Sequence, residues 1–307
     1  MNCKCVLTLI AAAFTAALAA GPVNTELKKG AMYRPDTKQF WRNMSYSNGL
    51  GRYLMSLSVA KPVGNKPQFA VMGFNGGGFG FCDKARAFDL TVNGISYTKL
   101  NFKAEDFSLW NKGDEKGVEI KMNFDGAKII TRFYMRPDSG VLWCRIYADP
   151  NVVEPIQSLK FSTTCLPSTL AKKNGKVQFH NGYLRMAKSP VKEYAAKNSP
   201  QTVTAFDSSF IFYDKIFDGA PFKKSKNKLE NEKNDKGFGP CMFITDHKNS
   251  KKARLTLRNH WTSTFDVEFG KDFKEYNFGY YNSPVRTQND AFFKNVETNK
   301  NAFTFKK

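Results

Sequence analysis

VEIKMNFDGAKIITRFYMRP, residues 118–137, decides the fold. Asp-Gly is a favoured pair for a two-residue hairpin turn, because both central positions of such a turn need positive φ. Pairing about Asp125-Gly126 sets Met122 against Ile129, Ile120 against Thr131 and Val118 against Phe133 on one face. The other face then sets Glu119 opposite Arg132. One register buries apolar side chains and matches opposite charges at once, and a slip of one residue would lose both.

Working outward, two more Asn-Gly pairs predict hairpins of the same kind. They lie in AFDLTVNGISYTKL (87–100, turning at Asn93-Gly94) and KVQFHNGYLRM (176–186, turning at Asn181-Gly182, with Val177, Phe179, Leu184 and Met186 towards the core). GVLWCRIYADP (140–150) and IQSLKFSTTC (156–165) alternate, and TVTAFDSSFIFYDKIF (202–217) is rich in β-branched and aromatic residues, so each reads as a strand. From Arg254 to Phe269 the alternation is almost unbroken, which predicts one long bent strand or a hairpin near Thr262-Ser263. The helical signal is thin. VKEYAAK (191–197), between Pro190 and Pro200, predicts one short helical turn, and TELKKG (25–30) is too brief to support a helix. No internal repeat of fixed period is present. Strand after strand joined by short turns predicts an all-β antiparallel sandwich, or its extended supersandwich form.

Near the start of the sequence Lys4 is followed by an apolar run from Val6 to Ala20, with Ala17-Leu18-Ala19 as a small-x-small cleavage site. This is the plan of a secretory signal peptide over residues 1–19. What remains, residues 20–307, is expected to form one large sandwich domain with no membrane span. A flexible Lys-rich loop is expected at about 222–237, where KKSKNKLENEKNDK (223–236) offers almost nothing to bury. The expected location is secreted, periplasmic or at the cell envelope.

The net charge is +20, from 47 basic and 27 acidic residues, which draws a protein towards polyanions. Of the basic residues 36 are Lys and 11 Arg, and Lys serves solubility as readily as binding. Solvated turns such as KKNGK (172–176) and KNSKK (248–252) account for many of them. Among charged partners acidic polysaccharide is preferred; nucleic acid is disfavoured by export and by the lack of a recognisable binding module. Cys82, Cys144, Cys165 and Cys241 follow the signal region, which permits two disulfides. Cys144 and Cys165 alternate with apolar neighbours, so buried free thiols are the competing reading. No CxxC or HxxH spacing supports a metal site, and no cofactor is expected.

Chemistry could lie in four places. His260 shares its strand parity with Arg258, Asp266 and Glu268, giving a face with an imidazole, a guanidinium and two carboxylates, the parts of acid/base chemistry on a sugar. An amphipathic strand's solvent face would show the same residues. His180 falls opposite Tyr183 in the Asn181-Gly182 hairpin, with Gln178 and Arg185 on the same side, a cluster able to hold a uronate carboxylate while Tyr or His moves a proton. A polar hairpin tip is the simpler explanation. Trp41, Trp110 and the run EYNFGYYN (275–282) are candidate platforms for the apolar faces of sugars, although most rings in so aromatic a chain must be core. GFNGGGFGF (73–81) lacks the ending of a phosphate loop and reads as a tight turn or close chain approach.

The succession GVEIKMNFDGAKIITRFYMRPDSGVLWCRIYADPN (117–151) resembles the long antiparallel strands of galactose-mutarotase-like supersandwich domains, in which a hairpin leads to a strand with a central Trp and a polar turn. The likeness spans about residues 85–270 and is architectural. It implies a carbohydrate association, with sites of His and carboxylates on a concave sheet face, in epimerases or in parts of polysaccharide-degrading enzymes. Three functional readings follow. The first is an exported carbohydrate-binding or carbohydrate-processing accessory protein, with acidic polysaccharide as partner. The second is a sugar epimerase or polysaccharide-lyase-like enzyme using His260 or His180. The third is a structural cell-envelope protein. Whether the chain is catalytic, and its oligomeric state, stay open at this level.

Overall fold

The computed structural model describes residues 20–30, 40–59, 68–73, 88–151, 154–165, 171–173, 176–178, 182–186, 192–194, 200–202, 210–214, 241–258, 262–282, 295–296 and 298–306. The chain begins with β1 (Asn24–Gly30), β2 (Phe40–Asn48), β3 (Gly51–Val59), β4 (Gln68–Gly73), β5 (Asp89–Val92) and β6 (Ile95–Ser96). Next come β7 (Phe107–Lys112), β8 (Glu115–Phe124), β9 (Ala127–Arg136), β10 (Ser139–Ala148) and β11 (Leu159–Cys165). Short strands follow: β12 (Ala171–Lys173), β13 (Lys176–Gln178), β14 (Gly182–Met186), β15 (Lys192–Tyr194), β16 (Pro200–Thr202) and β17 (Phe210–Asp214). The last are β18 (Cys241–Asp246), β19 (Lys252–Arg258), β20 (Thr262–Phe269) and β21 (Glu275–Asn282). Helical backbone in the described residues is confined to single turns.

The strands form a nine-stranded sheet in the order β15-β14-β17-β18-β21-β10-β9-β8-β7 and a six-stranded sheet in the order β16-β19-β20-β11-β5-β6. A four-stranded sheet β1-β2-β3-β4 and a β12-β13 pair complete them, and every pairing is antiparallel. The fold is an all-β sandwich, as the alternation predicts. Its core is one aromatic-rich layer against the inner face of the large sheet. Phe161 from β11 stacks 4.5 Å from Phe278 of β21, and Phe243 of β18 lies 5.6 Å from Phe265 of β20. Phe88, Phe133 and Met44, Tyr46, Tyr53 and Met55 of the four-stranded sheet join the same cluster.

The Asp125-Gly126 hairpin has the expected register, pair for pair. Its turn has φ of 52° at Asp125 and 94° at Gly126, the doubly positive geometry that selects an Asp-Gly pair. Asn93-Gly94 does the same, with φ of 49° and 81° and Val92 opposite Ile95.

Two expectations need correction, and a third is decided between its alternatives. Asn181-Gly182 does not join β13 to β14: β13 pairs with β12, and β14 has β15 on one edge and β17 on the other, which leaves it no edge for a third partner. VKEYAAK contains a strand, β15, because Lys192, Glu193 and Tyr194 find ladder partners in β14 and a single turn of helix has no packing to compete with that. Of the two alternatives for the long alternation from Arg254, the structure has the hairpin: β19 and β20 pair antiparallel, with Arg258 and Leu257 opposite Thr262 and Ser263. Arg258 stands opposite Thr262, so the parity is kept from one strand to the next.

Cys144 is a free thiol, fully buried between Leu142 and Ile146, so two disulfides among the four cysteines are ruled out. Burial raises its thiol well above its ordinary pKa. The expected loop at 222–237, the expected signal peptide at 1–19 and most of GFNGGGFGF lie outside the described residues. Among the described residues no helix is long and apolar enough to cross a membrane.

Candidate functional site

The outer face of the large sheet is only partly covered. The segment from Asn295 to Lys306 lies across it, and Val296, Phe303 and Phe305 pack on Val141, Trp143, Met242, Ile244 and Tyr281 in a second, smaller core. Buried Arg136 fastens this segment. Its guanidinium donates to the carbonyls of Thr304 (2.9 Å), Asn301 (3.1 Å) and Ala302 (3.2 Å) and lies 4.6 Å from the Trp143 ring centre. Ser139 Oγ donates to the Ala302 carbonyl, and Lys306 Nζ to Asp138 Oδ2 at 2.7 Å.

Beside this strap the outer face stays open as a cleft of about 400 Å³, lined by Trp110, Lys112, Glu115, Arg132, Tyr134, Arg145, Glu275, Asn277 and Lys306. Cross-strand register builds it. One row runs Trp110, Gly117, Tyr134, Trp143 across β7 to β10, and the next Ser108, Glu119, Arg132, Arg145, Asn277 across β7 to β21. A third holds Tyr147 and Glu275 side by side. With strands about 4.8 Å apart, such rows bring their side chains into mutual contact.

Arg132 is the hub. Its guanidinium donates to Glu119 Oε2 at 2.6 Å and to the Tyr147 hydroxyl at 2.7 Å, and its carbon lies 4.2 Å from the Trp110 ring centre. The Tyr147 hydroxyl in turn donates to Glu119 Oε2 at 3.2 Å. Trp110 meets Tyr134 edge-on at 5.5 Å, so the indole is held as a fixed platform by a ring at its edge and a cation on its face. Arg145 pairs with Glu275, whose other oxygen accepts from Asn277 Nδ2 at 3.2 Å.

Burial pushes the phenols of Tyr134 and Tyr147 up to about 12, assisted by Glu115 at the first and Glu119 at the second. Both are therefore neutral hydrogen-bonding groups at ordinary pH. The sign of the stability effect follows: below about pH 10 both folded and unfolded chains keep these protons, and from there towards 12 only the folded chain does, so stability falls as pH rises. Titration followed by ultraviolet difference absorbance should show two phenols ionising near pH 12, whereas Tyr46, Tyr276 and Tyr280, raised further by full burial, should ionise only with unfolding. Two extra phenols titrating near pH 10 in the folded protein would contradict this picture of the cleft.

Of the residues singled out from the sequence, Trp110 stands in the cleft. Asp266 and Glu268 lie elsewhere, on the outer side of the six-stranded sheet. There Ser162 Oγ donates to Asp266 at 2.6 Å, and Glu268 sits between Lys160 (3.8 Å) and Arg254 (3.6 Å). Arg258 is on the neighbouring strand β19, and His260 lies outside the described residues. Tyr183 and Arg185 are on β14 in the large sheet, Gln178 is on β13 in the separate pair, and His180 is outside the described residues, so the register does not unite that cluster. Trp41 is on β2 in the four-stranded sheet. The run EYNFGYYN supplies core rings, Tyr276, Phe278 and Tyr280, while its alternate residues Glu275 and Asn277 face the cleft. Among the described residues no group of three or more His, Cys, Asp or Glu side chains is placed to hold a metal.

No family model and no curated protein matches the chain. Solved structures do. An α-N-acetylgalactosaminidase from Bifidobacterium bifidum in complex with GalNAc is similar with a TM-score of 0.45 and 10% identity, over 89% of this chain and 38% of that one. A GH36 α-galactosidase from Geobacillus stearothermophilus is similar with a TM-score of 0.36 and 10% identity, over 83% of this chain and 41% of that one. A putative aldose 1-epimerase from Klebsiella pneumoniae is similar with a TM-score of 0.34 and 10% identity, over 92% of this chain and 97% of that one. The chain thus spans about two fifths of the glycosidases it resembles. The likeness is one of overall strand arrangement alone.

Proposed function

We propose that this is an exported carbohydrate-binding or carbohydrate-processing accessory protein that binds acidic polysaccharide in the cleft on the open face of its large sheet. The observation that carries the proposal is the Trp110 platform, held by Arg132 and Tyr134 and bordered by polar groups at several heights. A flat ring meets the apolar face of a sugar, and neighbouring amide, phenol and charged groups meet its hydroxyls. The cations at the cleft (Lys112, Arg132, Arg145, Lys306) are balanced locally by Glu115, Glu275, Glu119 and Asp138, so the preference for an anionic ligand is supported by the charge of the whole chain, +20. The volume lies in the range of ordinary ligand sites.

Isothermal titration of the protein, freed of residues 1–19, with defined acidic and neutral oligosaccharides tests the proposal. Saturable binding that persists at moderate salt is expected, since purely Coulombic adhesion to anionic surfaces would be screened away. Trp110→Ala should weaken that binding about tenfold, roughly 1.4 kcal/mol, through loss of the stacked ring. Binding that vanishes with salt, or that is indifferent to Trp110, would instead favour a structural envelope role.

A further inference from the structure

We infer that Glu275 is an internal stand-in for the acidic group of the ligand: a uronate carboxylate docks on Arg145 by displacing Glu275, while Arg132 is a fixed structural cation that no ligand addresses. The inference rests on the glycan-binding reading of the same cleft and assigns its charge selection to one displaceable ion pair.

The register places Arg132 and Arg145 directly opposite each other on β9 and β10. Like charges in that relation repel, so each needs its own counter-charge, and the sheet supplies one on either side: Glu119 from β8 and Glu275 from β21. The two pairs are not equivalent. The Arg132–Glu119 side chains are 17% and 16% exposed, and their carboxylate oxygen is shared with the Tyr147 hydroxyl while Trp110 covers the guanidinium. Opening that pair would strand partly buried charges, which is costly. The Arg145–Glu275 side chains are 45% and 44% exposed, and an exposed ion pair contributes little.

Exchange of Glu275 for another carboxylate is therefore nearly neutral at Arg145. The planar guanidinium offers the incoming group a fork of donors, of which Glu275 uses one nitrogen, and the released Glu275 is hydrated and still within reach of Asn277. A neutral sugar cannot make the exchange and leaves the Arg145–Glu275 pair closed.

The test compares oligogalacturonate, its methyl ester and a sulfated galactan oligosaccharide that carries no uronate, by titration against the wild-type protein, Glu275→Gln, Arg145→Gln and Arg145→Lys, each first shown to unfold cooperatively. The readout is the ratio of acid to ester affinity. Wild type is expected to prefer the acid only about twofold, because the exchange at Arg145 is nearly neutral. Glu275→Gln removes the internal competitor and should raise the ratio a further three- to fivefold. Arg145→Gln should bring it close to one, and Arg145→Lys, which keeps the charge and loses the fork, should fall between. A ratio unchanged or lowered in Glu275→Gln overturns the stand-in role while leaving glycan binding intact. Preference for the sulfated probe over the uronate overturns the carboxylate assignment. Binding of none of the three removes the glycan-binding reading itself, and this inference with it.

Discussion

Arg136→Ala should lower stability by about 3–5 kcal/mol and release the strap from the outer face of the large sheet. The side chain is 1% exposed and burial depresses its pKa, with Asp138, 3.3 Å from Nε, opposing that depression. A buried charge of this kind is tolerated because its two terminal nitrogens are hydrogen-bonded to three strap carbonyls, Asp138 supplies the counter-charge and the Trp143 face covers it. Truncation removes all of these together and leaves a cavity beneath Phe305, which packs 4.9 Å from the Trp143 ring. The melting temperature should fall on the order of 10 °C. Protease cleavage within residues 295–306 should accelerate, and Trp143 emission should move to longer wavelength as the indole is wetted. Ser139→Ala, which removes one donor to Ala302, should show the same signs at smaller amplitude. An Arg136→Ala protein that melts within a degree or two of wild type would mean that apolar packing alone seats the strap. Because Lys306 lines the cleft and pairs with Asp138 beside Arg136, seating the strap also sets one wall of the site.

How far this site can be read from the chain depends on where its register is decided. Around Asp125-Gly126 the turn fixes the pairing within a few residues, so Glu119 opposite Arg132 is legible in advance, and so are the inward Val118, Ile120 and Met122. A turn dipeptide states only a local preference, however. At Asn181-Gly182 it is overridden, because β14 takes both its partners from strands further along the chain. The same reasoning explains why Arg145, Glu275 and Asn277 are not foreseen. Arg145 and Glu275 are 130 residues apart, and the β10–β21 pairing that joins them is set by the fit of the whole aromatic layer rather than by any turn. A usable signal does exist in EYNFGYYN: period-two alternation divides it into rings and polar residues, and when the rings are core the polar set must face the other way. The strand parity of Asp266 and Glu268 is likewise legible, but parity shows only that two residues share a face, not that the face is concave.

Gly117→Ala should be the most damaging small change in the cleft. Gly117 stands between Trp110 and Tyr134 in the same cross-strand row, and the missing side chain is the space through which the indole reaches over β8 to the tyrosine on β9. A Cβ built there would lie 2.1 Å from the Phe133 carbonyl oxygen and 2.7 Å from the Tyr134 Cβ. The first is backbone in the middle of the sheet and the second is bonded directly to it, so neither can swing aside. A glycine inside a strand ordinarily weakens it; here a ring from the neighbouring strand covers the gap, and the bare position becomes a requirement. Forcing a methyl group in must shift β8 against β9 or lift Trp110, and a cost on the order of 3 kcal/mol is expected. Thermal unfolding should show it. Tyr134 should gain solvent exposure, and Arg132 should lose the ring that lies 4.2 Å from its guanidinium carbon. Glycan affinity should drop at least as far as in Trp110→Ala, since the platform is displaced together with its supports. Lys121→Ala, on the exposed side of the same strand, serves as the control and should change neither measurement. If Gly117→Ala melts and binds as wild type does, the indole does not rest on this gap, and the platform geometry on which the binding site is built is wrong.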